Sequence, residues 1–125
     1  MPNNTAPKKI LIVEDELIIS KVYSLYLIKQ GYTVTACVTN AEDALKFYSE
    51  NLPDLVVLDV RLKNDGNGIE VAKQLRKLGN TPIIFTTGNS AMIMDELNKE
   101  ISNTSTLIKP VPVENLLSEI KKILK

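Results

Sequence analysis

The chain has 125 residues, 44% hydrophobic and 24% charged, with fifteen basic and fifteen acidic residues. That length fits one domain with one core, and a net charge of zero argues against nonspecific nucleic-acid binding, which needs a positive field. With no histidine and a lone cysteine, Cys37, the chain cannot build a Ser-His-Asp triad, a histidine metal site, a phosphohistidine or an internal disulfide.

Residues 1–7 are polar and read as a disordered tail, leaving 8–125 as the folded unit. The run Ile10–Val13 stops at Glu14 and Asp15, too short for a signal-peptide core or a membrane span. The expectation is a cytoplasmic protein that touches neither membrane nor nucleic acid directly.

Short apolar runs alternate with longer amphipathic stretches. Ile10–Val13 reads as a first strand. A helix follows, with Asp15 and Glu16 at its start, Ile18, Val22 and Leu25 as its apolar stripe and Gly31 as its stop. Val34–Val38 reads as a second strand, with Cys37 as a small core residue. Thr39 or Asn40 can cap a second helix that places Ala41, Ala44, Leu45 and Tyr48 on one side and ends before Pro53. Leu55–Leu58 is a third strand. A third helix runs from about Ile69 to Leu78, with Val71, Leu75 and Leu78 apolar and Gly79 beyond it; Gly66 and Gly68 read as loop-shaping. Ile83–Phe85 is a fourth strand. A fourth helix starts near Ser90 and carries Met94, Leu97 and Ile101; Met92-Ile93-Met94 is loose packing or a partner surface. Leu107–Ile108 is a fifth strand, and a last helix from Pro112 or Val113 repeats at Leu116, Leu117, Ile120 and Leu124. Continuous apolar runs suit strands buried on both faces. The strand–helix alternation implies an α/β fold, an open five-stranded parallel sheet wound on both faces.

In such a sheet ligands bind beyond the carboxyl ends of the strands. Those ends carry Glu14-Asp15, Asp59, Thr86-Thr87-Gly88 and Lys109-Pro110. Crowded carboxylates repel unless a cation joins them, and without histidine or a cysteine cluster a hard, oxygen-preferring ion such as Mg2+ is expected. A lysine and a hydroxyl beside it suit a phosphoryl group. The set points to phosphoryl transfer onto a carboxylate. The bland readings are that Glu14-Asp15-Glu16 only complements a helix dipole and that Lys109 is a surface lysine. Asp59, at the end of a buried apolar run, would be costly to bury unpaired.

Four segments carry a resemblance: Ile10-Leu-Ile-Val-Glu-Asp-Glu16, Pro53-Asp-Leu-Val-Val-Leu-Asp-Val-Arg-Leu62, Pro82-Ile-Ile-Phe-Thr-Thr-Gly88 and Leu107-Ile-Lys-Pro110. In this order and spacing the chain resembles the receiver domain of two-component response regulators, the chemotaxis-receiver-like family, over about residues 8 to 125. The resemblance implies flavodoxin-like strand order 2-1-3-4-5. It implies a phosphorylation-controlled switch in a phosphorelay. Asp59 would accept a phosphoryl group from a sensor histidine kinase or phosphotransfer protein. Glu14, Asp15, Asp59 and the backbone carbonyl of Arg61 would hold Mg2+. Thr87, Gly88 and Lys109 would receive the phosphoryl group, and Lys109-Pro110 would be a cis bond. Output would pass through the face of the fourth helix, fifth strand and last helix to a downstream protein or effector domain, with a homodimer left open. Such a domain assists its own phosphorylation and dephosphorylation but is not an enzyme acting on an outside metabolite.

The departures are equally specific. Glu14-Asp15 stands where the family most often has two aspartates. The loop Leu62-Lys-Asn-Asp-Gly-Asn-Gly68 lacks the usual proline, and Gly88 replaces a more usual alanine. Thr106 stands where an aromatic switch residue is common, so a phosphate-independent scaffold is the alternative. Arg61 and Asn89, two residues after Asp59 and Thr87, are positioned to tune the phosphoryl lifetime. A flavodoxin-like cofactor binder is disfavoured because Glu14-Asp15-Glu16 repels phosphate. A haloacid-dehalogenase-type phosphatase is disfavoured because Arg61 occupies the place of its second aspartate.

Overall fold

The computed structural model describes residues 6–62, 67–88 and 99–125. The fourth predicted helix from Ser90, with Met92–Met94 and Leu97, lies outside them, as do Asn89, Gly66 and most of the polar tail. The described residues form β1 (Lys9–Val13), α1 (Leu17–Lys29), β2 (Thr33–Val38), α2 (Ala41–Asn51), β3 (Leu55–Asp59), α3 (Gly68–Leu78), β4 (Ile83–Thr87), β5 (Thr104–Ile108) and α4 (Val113–Ile123). The strands make one parallel sheet in the order β2-β1-β3-β4-β5.

Strand alternation builds two cores. Leu11, Val13, Val56, Leu58, Ile83 and Phe85 point to one face, where Ala44 and Tyr48 of α2 and Val71, Ala72 and Leu75 of α3 cover them. Ile10, Ile12, Leu55, Val57 and Ile84 point to the other, against Tyr23 and Leu27 of α1 and Leu116 and Ile120 of α4. The central strands β1, β3 and β4 are buried almost throughout. This is the arrangement that their unbroken apolar runs predict.

Local chemistry sets the ends of the elements. Asn40 caps α2 by accepting from the Asp43 backbone N–H at 2.9 Å. Asn67 does the same for α3, accepting from Ile69 and Glu70. Gly31 takes φ +97° after α1, and its N–H and that of Tyr32 satisfy carbonyls of the last turn. Arg76 of α3 donates to the carbonyls of Ser102, Gly79, Thr81 and Asn103, tying the chain entering β4 and β5 to the helix.

The structure corrects four expectations. The stripe Ile18, Val22 and Leu25 faces outward, and α1 instead turns Ser20, Tyr23 and Leu27 to the sheet. Both stripes are apolar, so period alone could not choose between them. Cys37 is exposed, because β2 is an edge strand with one sheet neighbour. Leu78, at the last turn of α3, is also exposed. Gly68 is no loop residue but the first residue of α3.

Gly68 stands where the helix start meets the end of β3. Its N–H donates to the Val60 carbonyl at 2.7 Å, and a Cβ added to it would overlap the Asp59 carbonyl oxygen. Alanine in place of a helical glycine ordinarily gains about 0.5–1 kcal/mol. Here the clash reverses the sign, and Gly68→Ala is expected to destabilise by about 1–3 kcal/mol. Around Gly88 nothing lies within 4 Å of such a Cβ, so Gly88→Ala is expected to leave the urea unfolding midpoint unchanged while Gly68→Ala lowers it.

Candidate functional site

The parallel sheet brings the predicted strand ends together. Val13 pairs with Leu58, so the residues that follow them, Glu14 and Asp59, leave adjacent strands side by side. A bulge of β2 near Thr35 shifts its register, and the Glu14 N–H donates to the Val38 carbonyl at 2.9 Å, extending the ladder beyond β1. Thr87 pairs with Ile108, and the Lys109 N–H donates to the Thr87 carbonyl at 2.8 Å. Lys109 is thereby carried to the same edge of the sheet, and its bond to Pro110 is cis.

Glu14 and Asp59 are buried, 2% and 3% exposed. The Lys109 ammonium lies between them, donating to Asp59 Oδ2 at 2.9 Å and standing 3.3 Å from Glu14 Oε1. The Arg61 backbone N–H donates to Asp59 Oδ1 at 3.1 Å. The Glu16 backbone N–H donates to Glu14 Oε2 at 3.1 Å. Glu14 Oε1 is buried and, among the described residues, is met by the Lys109 ammonium at 3.3 Å without a well-formed hydrogen bond. Asp15 completes a group in which one oxygen from each of Glu14, Asp15 and Asp59 lies within 4.8 Å of the others. Such a group could hold a metal ion, and hard divalent cations take oxygen ligands of this kind.

The electrostatics follow from that crowding. Burial, then the charge of Asp59, pushes the Glu14 carboxyl up to about 7, against the opposing pull of the Glu16 N–H and Lys109. Burial pulls Lys109 downward, but the hydrogen bond and charge of Asp59, with Glu14 behind them, leave it raised. Among the described residues, the carboxylates of Glu14, Asp15 and Asp59 gather beside the Lys109 ammonium. The surplus negative charge is what a cation would neutralise.

The remaining predicted residues fall as follows. Thr86 and Thr87 are both buried at the end of β4, and Gly88 follows with open space beside it. Thr106 is half-buried in β5, opposite Phe85, two strand positions before Ile108. The Arg61 residue is exposed, while its N–H reaches Asp59. Asn89 lies outside the described residues. Gly68 was missed as part of the site: it holds α3 against the Asp59 backbone. The adjacent pair Asn67-Gly68, a cap residue just before the apolar Ile69, was the available signal.

Comparison with known proteins agrees with this geometry. The family model for the response regulator receiver domain matches residues 10–121. The chain is similar to the CheY-like receiver domain protein of Methanospirillum hungatei, at 26% identity and TM-score 0.86, covering 94% of each chain. It is equally similar to the chemotaxis protein CheY4 of Vibrio cholerae, at 26% identity and TM-score 0.86, covering 94% of this chain and 99% of that one. A two-component response regulator from Clostridium difficile matches at 27% identity and TM-score 0.85, with 94% and 95% covered. With its acidic strand ends gathered around one lysine on a 2-1-3-4-5 sheet, the chain belongs to the response regulator receiver domain family.

Proposed function

We propose that the domain is a switch driven by phosphorylation of Asp59. The observation that carries this reading is the lysine contact: Lys109 Nζ lies 2.9 Å from Asp59 Oδ2, inside a group of three carboxylates. Asp59 supplies the nucleophilic oxygen. A new P–O bond forms to its carboxylate as the P–N bond of a partner's phosphohistidine breaks, and the electron pair leaves with the imidazole. The donor imidazole lies outside these 125 residues, which contain no histidine.

Each neighbour has a distinct task. Lys109 and the Arg61 N–H hold the two Asp59 oxygens in place, so the carboxylate is oriented before the donor arrives. Lys109 then pairs with the phosphoryl oxygens. The Thr87 hydroxyl hydrogen-bonds the same group, and Gly88 leaves room for it. The residues fit Mg2+, since one oxygen from each of Glu14, Asp15 and Asp59 lies within 4.8 Å of the others and the buried Glu14 Oε1 is met only by the Lys109 charge at 3.3 Å among the described residues. Glu14, Asp15, Asp59 and the Arg61 carbonyl would hold it. When bound, the ion supplies the positive charge that lets an anionic donor approach an anionic pocket. Attack by water on phosphorus, with the Asp59 carboxylate leaving, resets the switch. By sequence position, two residues after Asp59 and Thr87, Arg61 and Asn89 are the residues assigned to tuning its rate. Thr106, where an aromatic is common, removes the bulky partner of Thr87, so output relies on Thr87 and Lys109. The partners are a histidine kinase or phosphotransfer protein on one side and a downstream protein or effector domain on the other. The setting is the cytoplasm; among the described residues no helix is long and apolar enough to cross a membrane.

Incubation with acetyl phosphate and Mg2+ tests the reading. The wild type is expected to gain one acid-labile phosphate by mass spectrometry, and Asp59→Asn none. A wild type that gains none, or a variant that gains as much, overturns it and favours the phosphate-independent scaffold.

The Glu14 carboxyl makes a second prediction. Its folded value of about 7 lies above the ordinary 4.5, so between these the folded protein holds a proton that the unfolded chain releases. Without divalent cations, stability therefore falls as pH rises through that window, by up to about 3 kcal/mol. Glu14→Gln is expected to flatten that fall in urea titrations. Mg2+ competes with the proton, so it should raise the melting temperature more at pH 8 than at pH 5.

A further inference from the structure

The amino-terminal edge of the sheet, opposite the acidic pocket, is tied together by one side chain. Arg76 of α3 is half-buried and directs its guanidinium at four backbone carbonyls. Its Nη1 donates to Gly79 at 3.0 Å and to Thr81 at 2.9 Å, on the chain entering β4. Its Nε donates to Ser102 at 3.1 Å and its Nη2 to Asn103 at 3.3 Å, on the chain entering β5. A planar fork with fixed N–H directions can bridge two chains in this way, and a lysine ammonium cannot. Asn103 completes the join. It takes φ +57°, a left-handed conformation that asparagine tolerates. Its side chain donates to the Asn80 carbonyl at 2.6 Å, and its own carbonyl accepts from the Ile83 N–H at 3.1 Å.

The fifth strand needs such a join. Among the described residues β5 is an edge strand, paired with β4 alone. A hydrophobic pattern fixes register where one face must be buried, and strands without one are prone to slip. Three of the five residues of β5 are Thr104, Ser105 and Thr106, and Ile108 is exposed. Only Leu107 packs into a core among the described residues. Ile101, just before the turn, is buried, but it lies outside the ladder and leaves the pairing of β5 open. Register matters because β5 delivers Lys109. The least slip that keeps every side chain on its own face is two residues, which moves Lys109 by about 6.6 Å. Its contact with Asp59 is 2.9 Å long, so such a slip breaks it.

We propose that Arg76 is a positioning residue for Lys109. By joining the chain entering β4 to the chain entering β5, it fixes the register that carries the ammonium to Asp59, about 20 Å further along the strand. The proposal rests on the role given above to Lys109 in phosphoryl transfer. Arg76 has no direct part in the pocket, and its effect passes through β5.

Arg76→Lys keeps the charge and loses the fork, and it tests the proposal. Circular dichroism should show a folded protein. The Lys109 N–H bonds the Thr87 carbonyl, and its loss of protection from hydrogen exchange should exceed that of the β3 amides, which report overall stability, by at least about tenfold. Phosphorylation by acetyl phosphate and Mg2+ should slow at least about fivefold. In a Lys109→Gln background Arg76→Lys should bring no further slowing, although it still lowers the melting temperature. A merely structural role would slow both backgrounds alike. Lys109 protection that falls no more than that of β3 overturns the proposal, and so does equal slowing in both backgrounds. A wild type that takes up no phosphate defeats the switch reading instead, and the exchange measurement still decides whether Arg76 holds Lys109 in register.

Discussion

One ammonium shared by two buried carboxylates is the constraint around which the domain is organised. Glu14 and Asp59 end neighbouring parallel strands, so the sheet itself forces them together. Burying two such charges costs several kcal/mol each unless they are paired. Lys109 supplies the pairing, and it arrives only because β5 sits in register with β4 and its own N–H continues that ladder. The pairing is incomplete. Glu14 Oε1 meets Lys109 only at 3.3 Å, and the carboxyl holds its proton up to about 7. The fold thus stores an electrostatic deficit at the one edge where a cation and a phosphoryl group would act.

The sequence showed the central architecture because its signals there agree. Unbroken apolar runs mark β1, β3 and β4, and those of β1 and β3 end in the carboxylates that meet Lys109. Reading the strand ends was enough to place Glu14, Asp15, Asp59, Thr86-Thr87 and Lys109 along one edge, since an open parallel sheet gathers those ends there, while the choice of Thr87 over Thr86 rested on the family resemblance. Asn40 and Gly31 marked helix boundaries through side-chain and backbone chemistry that does not depend on packing.

Where two answers had equal local support, the sequence could not choose. In α1 both the Ile18 stripe and the Tyr23 stripe are apolar, and only packing against β1 and α4 decides which is buried. Cys37 has the character of a core residue but lies on an edge strand, and strand order is a tertiary property. The hydroxyl-rich start of β5, Thr104 to Thr106, lacks an apolar run, so only Leu107–Ile108 was visible. The tight approach of Gly68 to the Asp59 carbonyl is likewise a distance across the fold. Asn67 beside it hinted only at a helix start.

Tyr23 stands between the acidic pocket and the chain that follows Lys109. Its phenol is pushed above its usual ionisation range first by burial and then by the charge of Glu14, with Lys109 opposing and Asp59 adding a smaller push. The chain contains no tryptophan and only four tyrosines. The Tyr23 hydroxyl donates to the Val111 carbonyl at 3.4 Å, just past the cis bond that follows Lys109. The ring therefore links the charge of the pocket to the backbone that follows Lys109.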